Sequence, residues 1–233
     1  MKTLVEPCMG SSSIDKATLS LGYQDPYPDH DCLDIPRSAD DPLSYVLFPS
    51  FDMSLLPRET LLEYPDLCVV DSKPGFFMSS LKSLVSFEPG QLITHLTGWT
   101  KVPEKTWSTV QCGVGTEDHI ELNSVFVFMN HSCAPTAIFD LGSPNQSEWH
   151  VRALKKINSG DELTFFYPST EWDSPQPFDC RCQAKDCVGY YRGSKYLSRQ
   201  QVEERGYISP WVSQLMRDRD ANALGQDLRV AAQ

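Results

Sequence analysis

The sequence predicts a mostly β fold of short strands joined by turns, with helices confined to the C-terminal part of the chain. Three observations lead to this prediction. The longest apolar run, residues 125–129, has the length of a strand. Turn-forming clusters at residues 88–90 (Glu-Pro-Gly) and 158–161 (Asn-Ser-Gly-Asp) separate the apolar runs. Helical patterns begin only after residue 197.

Strand-like patterns recur along the centre of the chain. The predicted strands are residues 67–70, 91–96, 124–129, 149–154 and 162–167. The segment 124–129 gives the clearest signal, and residues 149–154 alternate in polarity as a half-buried strand does. The residues between 98 and 124 are predicted to be rich in loops.

The two ends of the chain have other patterns. Residues 1–40 are rich in Ser, Asp and Pro, so we predict a leader that is partly disordered or draped over the domain. Residues 198–205 and 209–217 are predicted helices. Ser209 suits the N-cap of the second helix and Pro210 its first helical position.

Composition and charge restrict the classes of function. A chain of 233 residues, 40% of them hydrophobic, suits one domain with appendages. Its net charge of −11 argues against direct nucleic-acid binding, which needs a cationic face. An acidic surface would attract a lysine-rich peptide, or it would serve solubility alone.

The sequence carries no recognisable targeting signal. No apolar run could cross a membrane, the N-terminus lacks the apolar core of a secretory signal, and no glycine follows Met1. No cluster of Lys or Arg indicates nuclear import. We therefore predict an intracellular monomer, cytoplasmic or nuclear, without membrane attachment.

The cysteines predict a structural metal site. Cys180, Cys182 and Cys187 follow a C-x-C-x4-C pattern, which offers three thiolates from one loop. Zinc prefers a tetrahedral set of thiolates, and Cys133, in the motif Asn-His-Ser-Cys, is the best candidate for the remaining ligand. The other cysteines have no recognisable spacing and are predicted to be free, partly buried thiols: Cys8, Cys32, Cys68 and Cys112.

An aromatic triplet closes the last predicted strand. Alternation places Phe165 and Tyr167 on one face and Phe166 on the other. Aromatic residues at the end of a strand belong to the hydrophobic core more often than to a functional site. A tyrosine hydroxyl can nevertheless orient an amine by hydrogen bonding, and an aromatic wall can stabilise positive charge that develops on that amine.

Taken together and in this order, the motifs resemble the SET-domain family of S-adenosylmethionine-dependent lysine methyltransferases, followed by the cysteine segment called post-SET. The matching residues are 130–133 with Pro135, 160–167 and the cysteine triplet. A further match lies at residues 75–77 and 87–93, so the resemblance covers roughly residues 66–190. It implies small twisted sheets and a C-terminal pseudoknot.

The resemblance also implies roles for individual residues. Tyr167 would be catalytic, and Phe165 and Phe166 would line the substrate channel. The zinc ligands would be Cys133, Cys180, Cys182 and Cys187. The residues implied for S-adenosylmethionine are Gly75, Phe76, Asn130, His131 and Phe178, with Trp172 as an alternative to Phe178 for stacking on the adenine.

The implied domains are a leader (1–40), a SET domain (41–168), a post-SET segment (169–190) and a helical extension (191–233). The chain departs from the family pattern at a few positions. Lys73, Val127 and Thr136 stand where Gly, Arg and Asn are common, and no cysteine-rich pre-SET segment precedes the domain.

Three functions are compatible with these patterns. The leading hypothesis is a protein-lysine N-methyltransferase. The short region between the first strands and residue 124 also suits a SET enzyme that methylates a small amine in biosynthesis. The departures from the family pattern suit a non-catalytic interaction module.

Overall fold

The structure is a computed structural model that describes residues 61–74 and 78–231, with side chains up to residue 224. The predicted leader lies outside the described residues. So do Gly75 and Phe76, which the resemblance implies for cofactor binding.

Short strands are the most numerous elements among the described residues, as the sequence predicts. The strands are β1 (Cys68–Asp71), β2 (Ser80–Ser83), β3 (Leu92–His95), β4 (Thr100–Val102), β5 (Thr109–Gln111), β6 (His119–Glu121), β7 (Asn130–His131), β8 (Ala137–Asp140), β9 (His150–Ala153), β10 (Glu162–Phe165), β11 (Phe178–Asp179) and β12 (Tyr190–Tyr191). The α-helices are α1 (Arg199–Glu203) and α2 (Pro210–Ala231). The mostly β class is therefore confirmed.

The strands form four small sheets, in the orders β1-β2-β10-β7, β3-β9-β8, β4-β6-β5 and β11-β12. All pairings are antiparallel except that between β10 and β7. In this parallel pair, Thr164 lies opposite Asn130 and Phe165 opposite His131. The motif that contains His131 is thereby brought beside the aromatic end of β10.

Two matching turns direct the chain into β3 and β10. Gly90 and Gly160 both have positive φ, at +84° and +92°, a conformation that glycine adopts without steric cost. The Asp161 carboxylate accepts a hydrogen bond from the backbone N–H of Asn158 at 2.8 Å, which closes the second turn. Both turns were predicted from their sequences.

The core lies between the sheets. Phe139 and Val151, which face each other on β8 and β9, have no exposed surface, nor do Leu81 and Leu163 on β2 and β10. The Phe139 ring packs edge-on against Phe165, with centroids 4.7 Å apart. Residues from these two sheets therefore share one apolar interior.

The predicted strand at 124–129 is wrong, because Val125–Phe128 form a 3-10 helix. An unbroken apolar run does not distinguish a buried strand from a buried helical turn. Val125, Phe126 and Phe128 are all buried, so no polar face marks the helical period.

Two further predictions need adjustment. The region between residues 98 and 124 is rich in loops, as predicted, but it also holds the sheet β4-β6-β5, whose three-residue strands are too short to show alternation. The strand predicted at 162–167 ends at Phe165, and Tyr167–Ser169 form a 3-10 helix. Pro168 has no N–H with which to continue a ladder.

The helices begin where the sequence predicts. Ser198 caps α1 in a capping box with Gln201, and Pro210 opens α2 with the Ser209 hydroxyl accepting from the N–H of Val212 at 3.3 Å. The Trp211 indole donates to the carbonyl of Thr170 at 2.7 Å, which ties α2 to the chain just after Tyr167. Among the described helices, none combines the length and apolar character needed to cross a membrane.

Candidate active site and cysteine cluster

A cavity of about 550 Å³ lies where β7, the end of β10 and the segment before β11 meet. Its wall includes Asn130, His131, Phe165, Tyr167 and Phe178. These are residues that the sequence singles out for catalysis, substrate channel and cofactor. The parallel pairing of β7 with β10 explains their proximity, because it aligns the ends of two distant segments.

Tyr167 presents a protonated hydroxyl at this wall. Its ring packs on Phe165 with centroids 4.6 Å apart, so the two rings share a face although β10 has already ended. The hydroxyl donates to the Met129 carbonyl at 3.2 Å. Burial raises the pKa of Tyr167 well above its usual value, so the proton stays in place at neutral pH. The phenolic oxygen keeps its lone pairs for an N–H donor.

His131 is a neutral imidazole inside an aromatic cluster. Burial lowers its pKa to about 4. Its Nδ1 accepts a hydrogen bond from the backbone N–H of Tyr167 at 3.3 Å, so we assign the proton to Nε2. This Nε2 lies 3.4 Å from the Sγ of Cys133. His131 thus joins the tyrosine to the cysteine cluster.

The remaining aromatic candidates take different places. Phe178 lies in the cavity wall with its ring 5.9 Å from that of His131. Phe166 is buried behind the wall, and the guanidinium of Arg205 lies 5.6 Å from its ring. Trp172 lies under the guanidinium of Arg219 at 5.8 Å, in the direction of α2. Of the two stacking candidates, Phe178 is the one in the cavity wall.

Asn130 fixes the edge of the cavity next to β2. Its side-chain amide donates to the carbonyl of Ser79 at 2.9 Å. Of the positions that depart from the family pattern, Val127 lies in the cavity wall, and the Thr136 hydroxyl accepts from the N–H of Thr164 at 2.8 Å. Thr136 therefore holds the start of β8 against β10.

The four predicted zinc ligands lie together. The Sγ atoms of Cys133, Cys180, Cys182 and Cys187 are all within 4.8 Å of one another. The Sγ of Cys133 is 3.9 Å from that of Cys180 and 4.0 Å from that of Cys187. Tetrahedral zinc with Zn–S bonds of about 2.3 Å places its sulfurs about 3.8 Å apart, whereas a disulfide needs about 2.05 Å. The cluster could hold a metal ion.

Backbone amides surround these sulfurs. The N–H of Val188 points at the Sγ of Cys133, and the N–H of Cys133 at the Sγ of Cys182, each at 3.4 Å. Donors aimed at sulfur stabilise thiolates rather than thiols. Cys68 and Cys112 lie outside this cluster, and burial raises the pKa of each to about 11, as expected of structural thiols.

Two residues of the cavity wall were missed by the sequence analysis. Tyr191 on β12 is buried, and its ring lies 4.8 Å from Phe178 and 5.6 Å from Tyr167. Glu171 is a buried carboxylate that pairs with Lys105. Tyr191 follows the cysteine loop without any periodic pattern, and the partner of Glu171 is remote in sequence, so no local signal pointed to either.

Comparison with known proteins agrees with this geometry. The SET domain family model matches residues 12–168, which is more than half of the chain. The methyltransferase flvH of Aspergillus flavus is 40% identical over 140 residues, which are 60% of this chain and 75% of that protein.

Two shorter matches are to histone-lysine N-methyltransferases. The enzyme mes-4 of Caenorhabditis elegans is 32% identical over 85 residues, which are 32% of this chain and 9% of that protein. Suv4-20 of Caenorhabditis briggsae is 40% identical over 55 residues, which are 24% of this chain and 16% of that protein. The chain therefore belongs to the SET domain family, and it is an S-adenosylmethionine-dependent methyltransferase.

Proposed function

We propose that this protein transfers a methyl group from S-adenosylmethionine to the amine of a lysine side chain in a protein, with Tyr167 positioning the nucleophile. The observation that carries the proposal is the state of the Tyr167 hydroxyl. Its proton is directed at the Met129 carbonyl and Tyr167 lies in the cavity wall, so the lone pairs of its oxygen would accept one amine N–H. An amine held in this way has its lone pair free to attack.

The cavity fits the cofactor. Its volume of about 550 Å³ is in the range of sites for ligands of this size, and its wall combines aromatic rings with the amide of Asn130 and a neutral His131. Bound S-adenosylmethionine supplies an electrophilic methyl carbon on a sulfonium. The residues of this chain would hold it through Asn130, His131 and Phe178, while Phe165 and Tyr167 line the approach of the amine.

We propose that zinc occupies the four-cysteine cluster and has a structural role. The sulfur spacing and the amide donors support four thiolate ligands, and such a set leaves no open coordination position for catalysis. Cys180 and Cys182 also lie in the cavity wall. Zinc would therefore complete the cavity by fixing the segment that carries Phe178 and Tyr191.

A small amine is the alternative substrate. It is favoured by the sheet β4-β6-β5, whose three-residue strands offer little edge on which a long peptide could lie. The chemistry at Tyr167 is the same for both substrates. The two substrates are therefore distinguished by whether the methylated product is found in the protein fraction or in the small-molecule fraction.

The test is label transfer by the zinc-loaded protein, incubated with methyl-labelled S-adenosylmethionine and an extract of its source. Tyr167→Phe should slow transfer by about 10²–10⁴-fold, the contribution typical of a group that orients or exchanges a proton with the nucleophile. Label in a protein band, absent with the variant, supports the lysine substrate, and label only in small molecules supports the alternative. Absence of transfer by the native protein would contradict both.

A further inference from the structure

The wall of the cavity contains a buried carboxylate that pairs with one cationic side chain of the residues that the structure describes. Glu171 follows the 3-10 helix Tyr167–Ser169 and is only 7% exposed, and its backbone N–H donates to the Tyr167 carbonyl at 2.9 Å. The Nζ of Lys105 lies 2.6 Å from its Oε1. A carboxylate in such surroundings needs a cationic partner, because burial without one is costly.

Lys105 reaches this carboxylate from the loop before β5, and the residues that follow it, 106–110, lie in the cavity wall. The Lys105 side chain is 24% exposed, more than that of Glu171. Lysine has a flexible four-carbon stem, so its ammonium can leave for solvent, whereas Glu171 is fixed by the chain just after Tyr167. The pair therefore joins a carboxylate held close to Tyr167 to an ammonium on a flexible and more exposed stem.

We propose that Glu171 binds the ammonium group of the incoming amine substrate, and that Lys105 occupies this carboxylate as an internal competitor until the substrate displaces it. The inference rests on the proposed function for the identity of the substrate as an amine. Its direct support is that a primary alkylammonium, that of Lys105, already lies on Glu171. Burial raises the pKa of Glu171, and Lys105 acts to lower it, so a bound ammonium favours the ionised carboxylate.

The two members of the pair then have opposite effects on amine binding. Replacing Lys105 removes the competitor and strengthens binding. Replacing Glu171 removes the site and weakens binding. A purely structural ion pair would give effects of the same sign, because loss of either partner would loosen the same wall.

The experiment is isothermal titration of the zinc-loaded full chain with n-butylammonium, which has the carbon stem and charge of a lysine side chain, and with 1-butanol as its neutral counterpart. Lys105→Met should bind n-butylammonium about tenfold more tightly than the native protein, and Glu171→Gln should lose the preference for the ammonium over the alcohol. Lys101→Met is the matched control. It breaks an exposed pair with Asp118 at 3.0 Å and should leave binding unchanged.

Thermal denaturation keeps the test valid if a variant is less stable. Lys105→Met leaves Glu171 unpaired, so n-butylammonium should raise its melting temperature more than it raises that of Glu171→Gln. Equal affinities in the native protein and Lys105→Met, or an ammonium preference retained in Glu171→Gln, would overturn the proposal. Neither readout uses S-adenosylmethionine or turnover, so failure of methyl transfer and failure of this inference remain separate results.

Discussion

Two regions of the molecule, the sheet strands β8, β9 and β10 and the segment 178–191, are stabilised by different means. The sheet strands β8, β9 and β10 bury Ala137, Phe139, Val151, Ala153 and Leu163 completely. In residues 178–191, which carry β11 and β12, Tyr191 alone is buried and the others are half-buried or exposed. The second region has instead the cysteine cluster.

The difference shows how one site can combine a part that is ordered by its own packing with a part whose order depends on a metal ion. Complete burial of an apolar side chain stabilises a fold by about 1.5–3 kcal/mol, so the sheets need no ligand. A segment with one buried residue gains too little from burial to offset its conformational entropy. A structural zinc ion binds with about 10–16 kcal/mol, which is enough to order such a segment. Metal should therefore control residues 178–191 and leave the sheets unaffected.

The largest effect is expected from loss of a cluster thiolate. In Cys182→Ser, amide hydrogen exchange in residues 178–191 should become nearly unprotected and methyl transfer should be lost, because the cavity wall formed by this segment is no longer fixed. The protection of β8 and β9 should stay as in the native protein. Exchange measured by mass spectrometry, with and without a zinc chelator, checks both statements.

Cys112→Ser is the control for the loss of a thiol. Cys112 is half-buried and outside the cluster, and burial raises its pKa to about 11, so it is a neutral thiol. Its replacement should leave exchange in residues 178–191 unchanged. If the chelator had no effect on this segment in the native protein, the contrast between the two regions would be wrong.

The converse change removes packing from the sheets. Phe139 has no exposed surface and packs edge-on against both Phe126 and Phe165. Phe139→Ala should lower the free energy of unfolding by about 3–5 kcal/mol through lost burial and a residual cavity. Urea denaturation should show the same loss with and without zinc. A loss that appeared only in the zinc-loaded protein would mean that the sheets and the cluster are not independent.

The same contrast explains which features could be predicted from sequence. The turns at Gly90 and Gly160, the strand at β9 and the cap of α2 depend on neighbouring residues, so local patterns found them. Cys180, Cys182 and Cys187 were found for the same reason, since their spacing is local. Cys133 was found because its own motif is distinctive.

What was missed depends on contacts between distant residues. The 3-10 helix Val125–Phe128 differs from a strand only in what surrounds its apolar side chains. Glu171 pairs with Lys105, which lies in the loop before β5, and it is buried. No sequence pattern around Glu171 indicates either the ion pair or the burial. Tyr191 is placed by its pairing with β11 after the cysteine loop has closed. Local composition does not encode such neighbours.

The smallest expected effect tests whether the metal alone orders residues 178–191. Tyr191 is 3% exposed, and its ring packs against Phe178, His131 and Tyr167, with centroids 4.8, 5.3 and 5.6 Å away. Aromatic pairs of this kind contribute about 0.5–1.5 kcal/mol beyond burial. Tyr191→Leu keeps an apolar side chain at this position but loses the ring contacts.

We therefore expect Tyr191→Leu to reduce exchange protection of the zinc-loaded segment about fivefold, which corresponds to roughly 1 kcal/mol. Tyr190→Leu is the matched control, since Tyr190 precedes it on β12 but is 51% exposed and should change protection little. Equal protection in the two variants would mean that the cysteine cluster alone orders the segment. A clear difference would mean that aromatic packing on the site tyrosine adds to the metal, so that the segment and Tyr167 are positioned together.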